Sequence, residues 1–167
     1  MFKIGEYLVY RRDVCKLIEI KHNNFNNSDC YVLIPLLDDS LKIKVPISNK
    51  NENMRPLISK ERIAEIIKGI PNVEILDCDD NRLIENEYKS LINSGKLVDL
   101  VKIIKTSYLR NKERADQKKK LSDKDNDYFC LAEKYLYQEF SIVLNMSYDD
   151  TKKYVIDEVN KLCEWSG

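Results

Sequence analysis

The chain has 167 residues, 43% of them apolar, with 28 Lys/Arg against 28 Asp/Glu, one histidine and five cysteines. That is material for one large domain or two small ones with a core, and no apolar run approaches the ~20 residues of a membrane span. A single histidine (His22) and the lack of G-x-G-x-x-G, G-x-x-x-x-G-K-[ST] and H-E-x-x-H motifs argue against an enzyme or a cofactor site.

The opening Met1-Phe2-Lys3-Ile4-Gly5 has no apolar h-region, so no secretory signal is expected. Residues 6–10 read as a first strand. In residues 14–21, Val14, Lys16, Ile18 and Ile20 alternate with Cys15, Leu17, Glu19 and Lys21, which predicts a second. Residues 23–29 form a polar turn cluster, with His22 at its edge. The continuous apolar run 30–37 suits a central strand buried on both faces. Asp38-Asp39 is expected to close a tight hairpin. Leu41, Ile43 and Val45 then alternate with Ser40, Lys42, Lys44 and Pro46, giving one buried and one basic face. Pro46 cannot donate to a ladder, so this strand is expected at an edge. Four or five short strands in so few residues suggest a small, strongly bent barrel.

All four prolines (Pro35, Pro46, Pro56, Pro71) lie in the first 71 residues, and after Pro71 the only glycines are Gly95 and Gly167. Their absence permits long helices, and the shift places a boundary near residues 50–60. Ser59 is positioned to cap a helix through Ile63, Ile66 and Ile67. Residues 85–93 predict a short helix stopped at Ser94-Gly95. Leu97, Leu100, Val101, Ile104 and Tyr108 form one apolar stripe, opposite Lys102, Lys105 and Lys112. Ser122-x-x-Asp125 resembles a capping box. Behind it Phe129, Ala132, Tyr135, Leu136, Phe140 and Val143 make a second stripe. Ser147-x-x-Asp150 caps a last helix carrying Val155, Val159 and Leu162.

Cys15, Cys30, Cys78, Cys130 and Cys163 are odd in number and hold no C-x-x-C pair. They argue against a zinc site or a disulfide framework and read as buried thiols in a reducing cytoplasm. The paired carboxylates Asp38-Asp39, Asp79-Asp80 and Asp149-Asp150 sit at turns or helix starts, where turn or capping duty explains them. Charge is sorted along the chain. Residues 82–124 hold twelve Lys/Arg and six Asp/Glu, while residues 125–167 hold four against nine. The basic segment has the charge a polyanion-binding surface needs; the plainer reading is a solvated helix face laced with ion pairs.

The chain opens with Phe2-Lys3-Ile4-Gly5-Glu6-Tyr7-Leu8-Val9-Tyr10 and later carries Leu41-Lys42-Ile43-Lys44-Val45-Pro46 and the junction Met54-Arg55-Pro56-Leu57-Ile58. Glu87-Tyr88-Lys89, Asn93-Ser94-Gly95, Leu121-Ser122, Ala132-Glu133 and Leu136 follow. Taken in this order, the pieces resemble the CarD family of bacterial transcription regulators, the first being similar to its F-x-x-G-D-x-V-V-Y and the second to its L-x-[IV]-x-V-P. The N-terminal part also resembles the polymerase-interacting domain of transcription-repair coupling factors. Two departures stand out. Tyr10-Arg11-Arg12-Asp13 replaces the family's Y-P-x-H-G, so a rebuilt hairpin is expected. The family's wedge Trp, four residues before the Tyr-Lys pair, is replaced by Ile84, with Leu83 beside it.

The resemblance implies an α+β chain: a Tudor/SH3-like β-barrel over 1–55 that binds the RNA polymerase β subunit, then an all-α domain over 56–167 that binds promoter DNA without sequence specificity. No cofactor, metal or membrane partner is implied, and a cytoplasmic, nucleoid-associated monomer is expected. Asn23, Phe25, Lys42, Ile43, Lys44, Val45 and Pro46 become the polymerase-binding candidates. Arg82, Leu83, Ile84, Tyr88, Lys89, Lys102 and Arg110 become the DNA-binding candidates, with Ile84 or Leu83 as the minor-groove wedge. The alternative implied function is an adaptor of the same fold that binds protein and leaves DNA alone.

Overall fold

The computed structural model describes residues 2–25, 28–47, 53–78 and 80–166; for 23–25 and 164–166 the backbone alone is described. The chain is mixed α+β and divides into two compact units, Met1–Ile58 and Ser59–Gly167.

The first unit is a five-stranded antiparallel sheet: β1 (Tyr7–Tyr10), β2 (Asp13–Phe25), β3 (Ser28–Pro35), β4 (Ile43–Pro46) and β5 (Met54–Pro56). Their order is β4-β3-β2-β1-β5. β5 pairs Leu8 with Pro56 and Val9 with Arg55, so the last strand of the sheet runs to the end of the first unit. Tyr10 pairs with Asp13, so Arg11-Arg12 forms a two-residue turn, with Arg11 left-handed at φ 59°.

The register of β2 against β3 shifts at two places, between Leu17 and Glu19 and between Lys21 and Phe25. Leu17 pairs with Leu33 and Glu19 with Val32, so Ile18 is an inserted residue, a β-bulge. Before it the odd residues Cys15 and Leu17 enter the core; after it Ile20 packs there instead. One extra residue reverses which side chains face inward. The strand also continues to Phe25, so His22 lies within it, with Nδ1 3.1 Å from Asp29 Oδ2. The turn cluster expected over 23–29 is correspondingly narrower.

The sheet core is Leu8, Cys15, Leu17, Tyr31, Leu33 and Val45, with Phe2 edge-on to Tyr31 at 6.2 Å. In β3, Cys30, Tyr31, Val32 and Leu33 are all buried, as a central strand requires. After Pro35 the chain does not make the tight hairpin expected at Asp38-Asp39. Leu36 and Leu37 are exposed, and Asp38 Oδ1 accepts from Ser40 N and Ser40 Oγ, a local Asx turn in a longer connection.

The second unit holds α1 (Lys60–Gly69), α2 (Asn81–Asn93), α3 (Leu97–Asp116), α4 (Asp123–Leu144) and α5 (Tyr148–Ser166), with a 3-10 turn at Ile70–Asn72. Ser59 caps α1 by accepting from Arg62 N, and Ile63, Ile66 and Ile67 are buried. α2 begins four residues before its expected start because Asp80 caps it, accepting from Arg82 N at 2.8 Å. Gly95 stops it at φ +73°.

The buried line on α3 is rotated from the expected stripe. Leu100, Val101, Ile103, Thr106 and Ser107 are buried, whereas Tyr108 is 56% exposed. Two polar residues serve as core here because their hydroxyls are bonded. Thr106 Oγ1 accepts from Leu76 N, and Ser107 Oγ donates to Ile103 O. Across from them Lys105 does not face solvent as expected; its Nζ donates to Ile70 O and Val73 O at 2.8 and 2.7 Å.

α4 is buried nearly all round from Leu136 to Ser141, and α5 buries Thr151 and Val155. The thiols divide. Cys15 and Cys30 are buried, Cys78 is half-buried, and Cys130 and Cys163 are exposed, correcting the expectation of five buried thiols. Burial pushes the Cys15 thiol up to about 11. Among the described residues no helix is long and apolar enough to cross a membrane.

Candidate functional site

Two surfaces carry the candidate residues, one in each unit. In the sheet unit β4 ends the described strand order, with β3 as its neighbour: Leu33 pairs with Ile43, Tyr31 with Val45 and Cys30 with Pro46. The period of two sorts its side chains. Val45 is buried and Ile43 half-buried against the core; Lys42, Lys44 and Pro46 are exposed. Ile43 and Val45 thus turn their side chains to the core, as the alternation predicts. Asn23 and Phe25 end β2, and their side chains lie outside the described residues.

In the helical unit the DNA-binding candidates separate into surface and interior. Arg82 and Leu83 are exposed at the start of α2, and Lys89 is exposed one stripe along. Lys102 is half-buried on α3. Ile84 and Tyr88, by contrast, are fully buried, at 2% and 0% exposure. Neither can reach a groove while the helices are packed. Their i, i+4 spacing, with Ile92 beyond, is the buried stripe of α2.

Arg110 is engaged within the unit and is 17% exposed. Its Nε donates to both oxygens of Asp125, at 3.2 and 3.1 Å. Its Nη1 donates to Cys78 O at 2.8 Å and its Nη2 to Asn81 Oδ1 at 3.0 Å. Asp125 itself is 1% exposed and accepts the Tyr88 hydroxyl at 2.7 Å. This buried trio ties α2, α3, α4 and the segment before α2 together. It also splits the expected capping box: Ser122 Oγ accepts from Asp125 N, but the Asp125 carboxylate faces inward, and Ser122 N donates to Asn111 Oδ1 at 2.8 Å. Desolvation, and then the hydrogen bond it donates to Asp125, push the Tyr88 hydroxyl well above the usual tyrosine range.

Sequence reasoning missed the exposed counterpart of that trio. Glu85 Oε2 lies 2.9 Å from Lys124 Nζ, and its Oε1 lies 3.7 Å from Lys89 Nζ. The Tyr128 hydroxyl donates to Oε1 at 3.5 Å. The Lys124 hydrogen bond leads in holding the Glu85 carboxyl below the usual range. The i, i+4 spacing of Glu85 and Lys89 was a legible signal; the arrival of Lys124 from α4 was not.

The lysine run also has a structural use. Arg114 lies in the last turn of α3, and Lys118-Lys119-Lys120 follows its C-terminus, where cations complement the helix dipole. Part of the positive excess thus serves the helix. No known family model matches this sequence, and no curated protein matches it either.

Proposed function

We propose that the chain is an RNA-polymerase-binding transcription regulator of CarD type that stabilises the open promoter complex. The sheet unit, a small Tudor/SH3-like barrel bent at the Ile18 bulge, holds the polymerase β subunit. The helical unit lies on promoter DNA and contacts phosphates without reading sequence. The observation that carries this reading is β4, at the end of the described strand order, with Lys44 and, just before the strand, Lys42 exposed and its hydrophobic residues turned to the core. Such an edge offers backbone hydrogen bonds to an added strand, with the lysines selecting an acidic partner. The order and spacing of the CarD-like pieces along the chain support the same assignment.

On DNA the working residues are Arg82 and Lys89 of α2 and half-buried Lys102 of α3, with Leu83 as the apolar wedge in place of buried Ile84. Binding that favours open over closed promoter by a few contacts shifts melting by ~1–3 kcal/mol, roughly 5–150-fold. The test is binding to the isolated β-subunit lobe, wild type beside Lys44→Glu. Wild-type binding that the substitution abolishes supports the assignment; absence of wild-type binding sinks it.

A second reading, an adaptor that leaves DNA alone, is favoured by one observation: Ile84, Tyr88 and Arg110 are engaged in the interior. Charge reversal at Arg82 and Lys89 separates the two. Promoter opening that is indifferent to both reversals selects the adaptor.

A further inference from the structure

Two ammonium groups and a hydroxyl from two helices converge on the Glu85 carboxylate: Lys124 at 2.9 Å, Lys89 as an ion pair at 3.7 Å and the Tyr128 hydroxyl at 3.5 Å. We propose that these groups form a binding site for one nucleic-acid backbone phosphate, and that Glu85 fills it with its own carboxylate until a phosphate displaces it. The inference rests on the reading that the helical unit binds DNA, and it names where and how that binding is restrained.

The chemistry of the two anions is shared. A carboxylate and a phosphate diester each present one negative charge over two bare oxygens, and both pair with ammonium groups and hydroxyls. The site lies on the stripe of α2 that also carries Arg82. Arg82, Glu85 and Lys89 stand at i, i+3 and i+7 on one stripe of α2, while Lys124 and Tyr128 stand at i and i+4 on α4. The Tyr128 ring is held against the Tyr88 ring at 5.1 Å, and Tyr88 is held by Asp125. Its hydroxyl is therefore presented from an anchored base. The lysine side chains are 60% and 55% exposed and Glu85 27%, so the cations reach solvent while the carboxylate sits between them. Displacement turns Glu85 out to water and leaves the three groups on the phosphate.

Exposed ion pairs add little to stability, so Glu85→Gln is expected to fold. The full chain is titrated with a short labelled DNA duplex over a range of salt, as wild type, Glu85→Gln, Glu87→Gln and Glu85→Gln with Lys124→Ala, each checked for folding by circular dichroism. Glu87 is exposed on the same helix and controls for the change in net charge. Glu85→Gln is expected to bind about 3–10-fold tighter at low salt, with the log–log salt slope steeper by about one. Glu87→Gln should gain less, and Lys124→Ala should abolish the gain. Wild-type binding with no gain in Glu85→Gln, or an equal gain in Glu87→Gln, overturns the site alone. No DNA binding by any of the four overturns the site and the DNA-binding reading together.

Discussion

Asp125→Asn is the sharpest test of what holds the helical unit together. The carboxylate is 1% exposed and accepts from Tyr88 Oη at 2.7 Å and from Arg110 Nε at 3.1 and 3.2 Å. Asparagine keeps the shape but removes the charge and turns an amide NH2 toward groups that are already donors. Breaking a buried pair by removing one partner costs about 3–5 kcal/mol, because the other charge is left uncompensated. Arg110 keeps Cys78 O and Asn81 Oδ1 and is 17% exposed, which places the loss toward the lower end, about 3 kcal/mol. Tyr88→Phe removes only one hydrogen bond to a charged group and should cost about 1.5–3 kcal/mol. Urea unfolding at neutral pH measures both, through the midpoint at unchanged slope. A loss below about 1 kcal/mol for Asp125→Asn would refute the claim that this trio organises α2, α3 and α4.

Three further outcomes are expected. Ile84→Ala should lower stability by about 2–5 kcal/mol, while its exposed neighbour Leu83→Ala changes it by under about 0.5 kcal/mol and weakens DNA binding instead; thermal melts beside DNA titrations check the split. Lys118 is left-handed at φ 57° just past α3, so Lys118→Gly should raise stability by about 0.5–1 kcal/mol in the same melts. The Tyr88 hydroxyl has a raised folded pKa, so its contribution is fully present below the unfolded tyrosine value near 10 and falls as pH rises above it. Urea unfolding from neutral to strongly alkaline pH should show a steeper decline in wild type than in Tyr88→Phe, and equal declines would contradict the assignment.

Much of the second unit is legible because its signals are local. Ser59, Ser122 and Ser147 each accept from the backbone N–H three residues on, where the capping patterns place them. Ile63, Ile66 and Ile67 are buried as their spacing implies. The central run in β3 and the place of β4 at the end of the described strand order follow from apolar continuity and from Pro46. Where reading by apolarity fails, the reason is a partner distant in sequence. Thr106 enters the core because Leu76 N meets its hydroxyl there, while Ser107 satisfies its own within α3, on Ile103 O. Arg110 looks like a surface cation until Asp125, from the next helix, meets it.

The sequence by itself determined the division into a strand-rich and a helix-rich part, the helix caps, and the sorting of basic and acidic segments. These depend on neighbours within a turn or two of the chain. Tertiary structure alone decided the inward register after the Ile18 bulge, the rotation of the α3 face, and which of the cations remain exposed. Each of those depends on which group from another strand or helix stands opposite, and no local spacing encodes that.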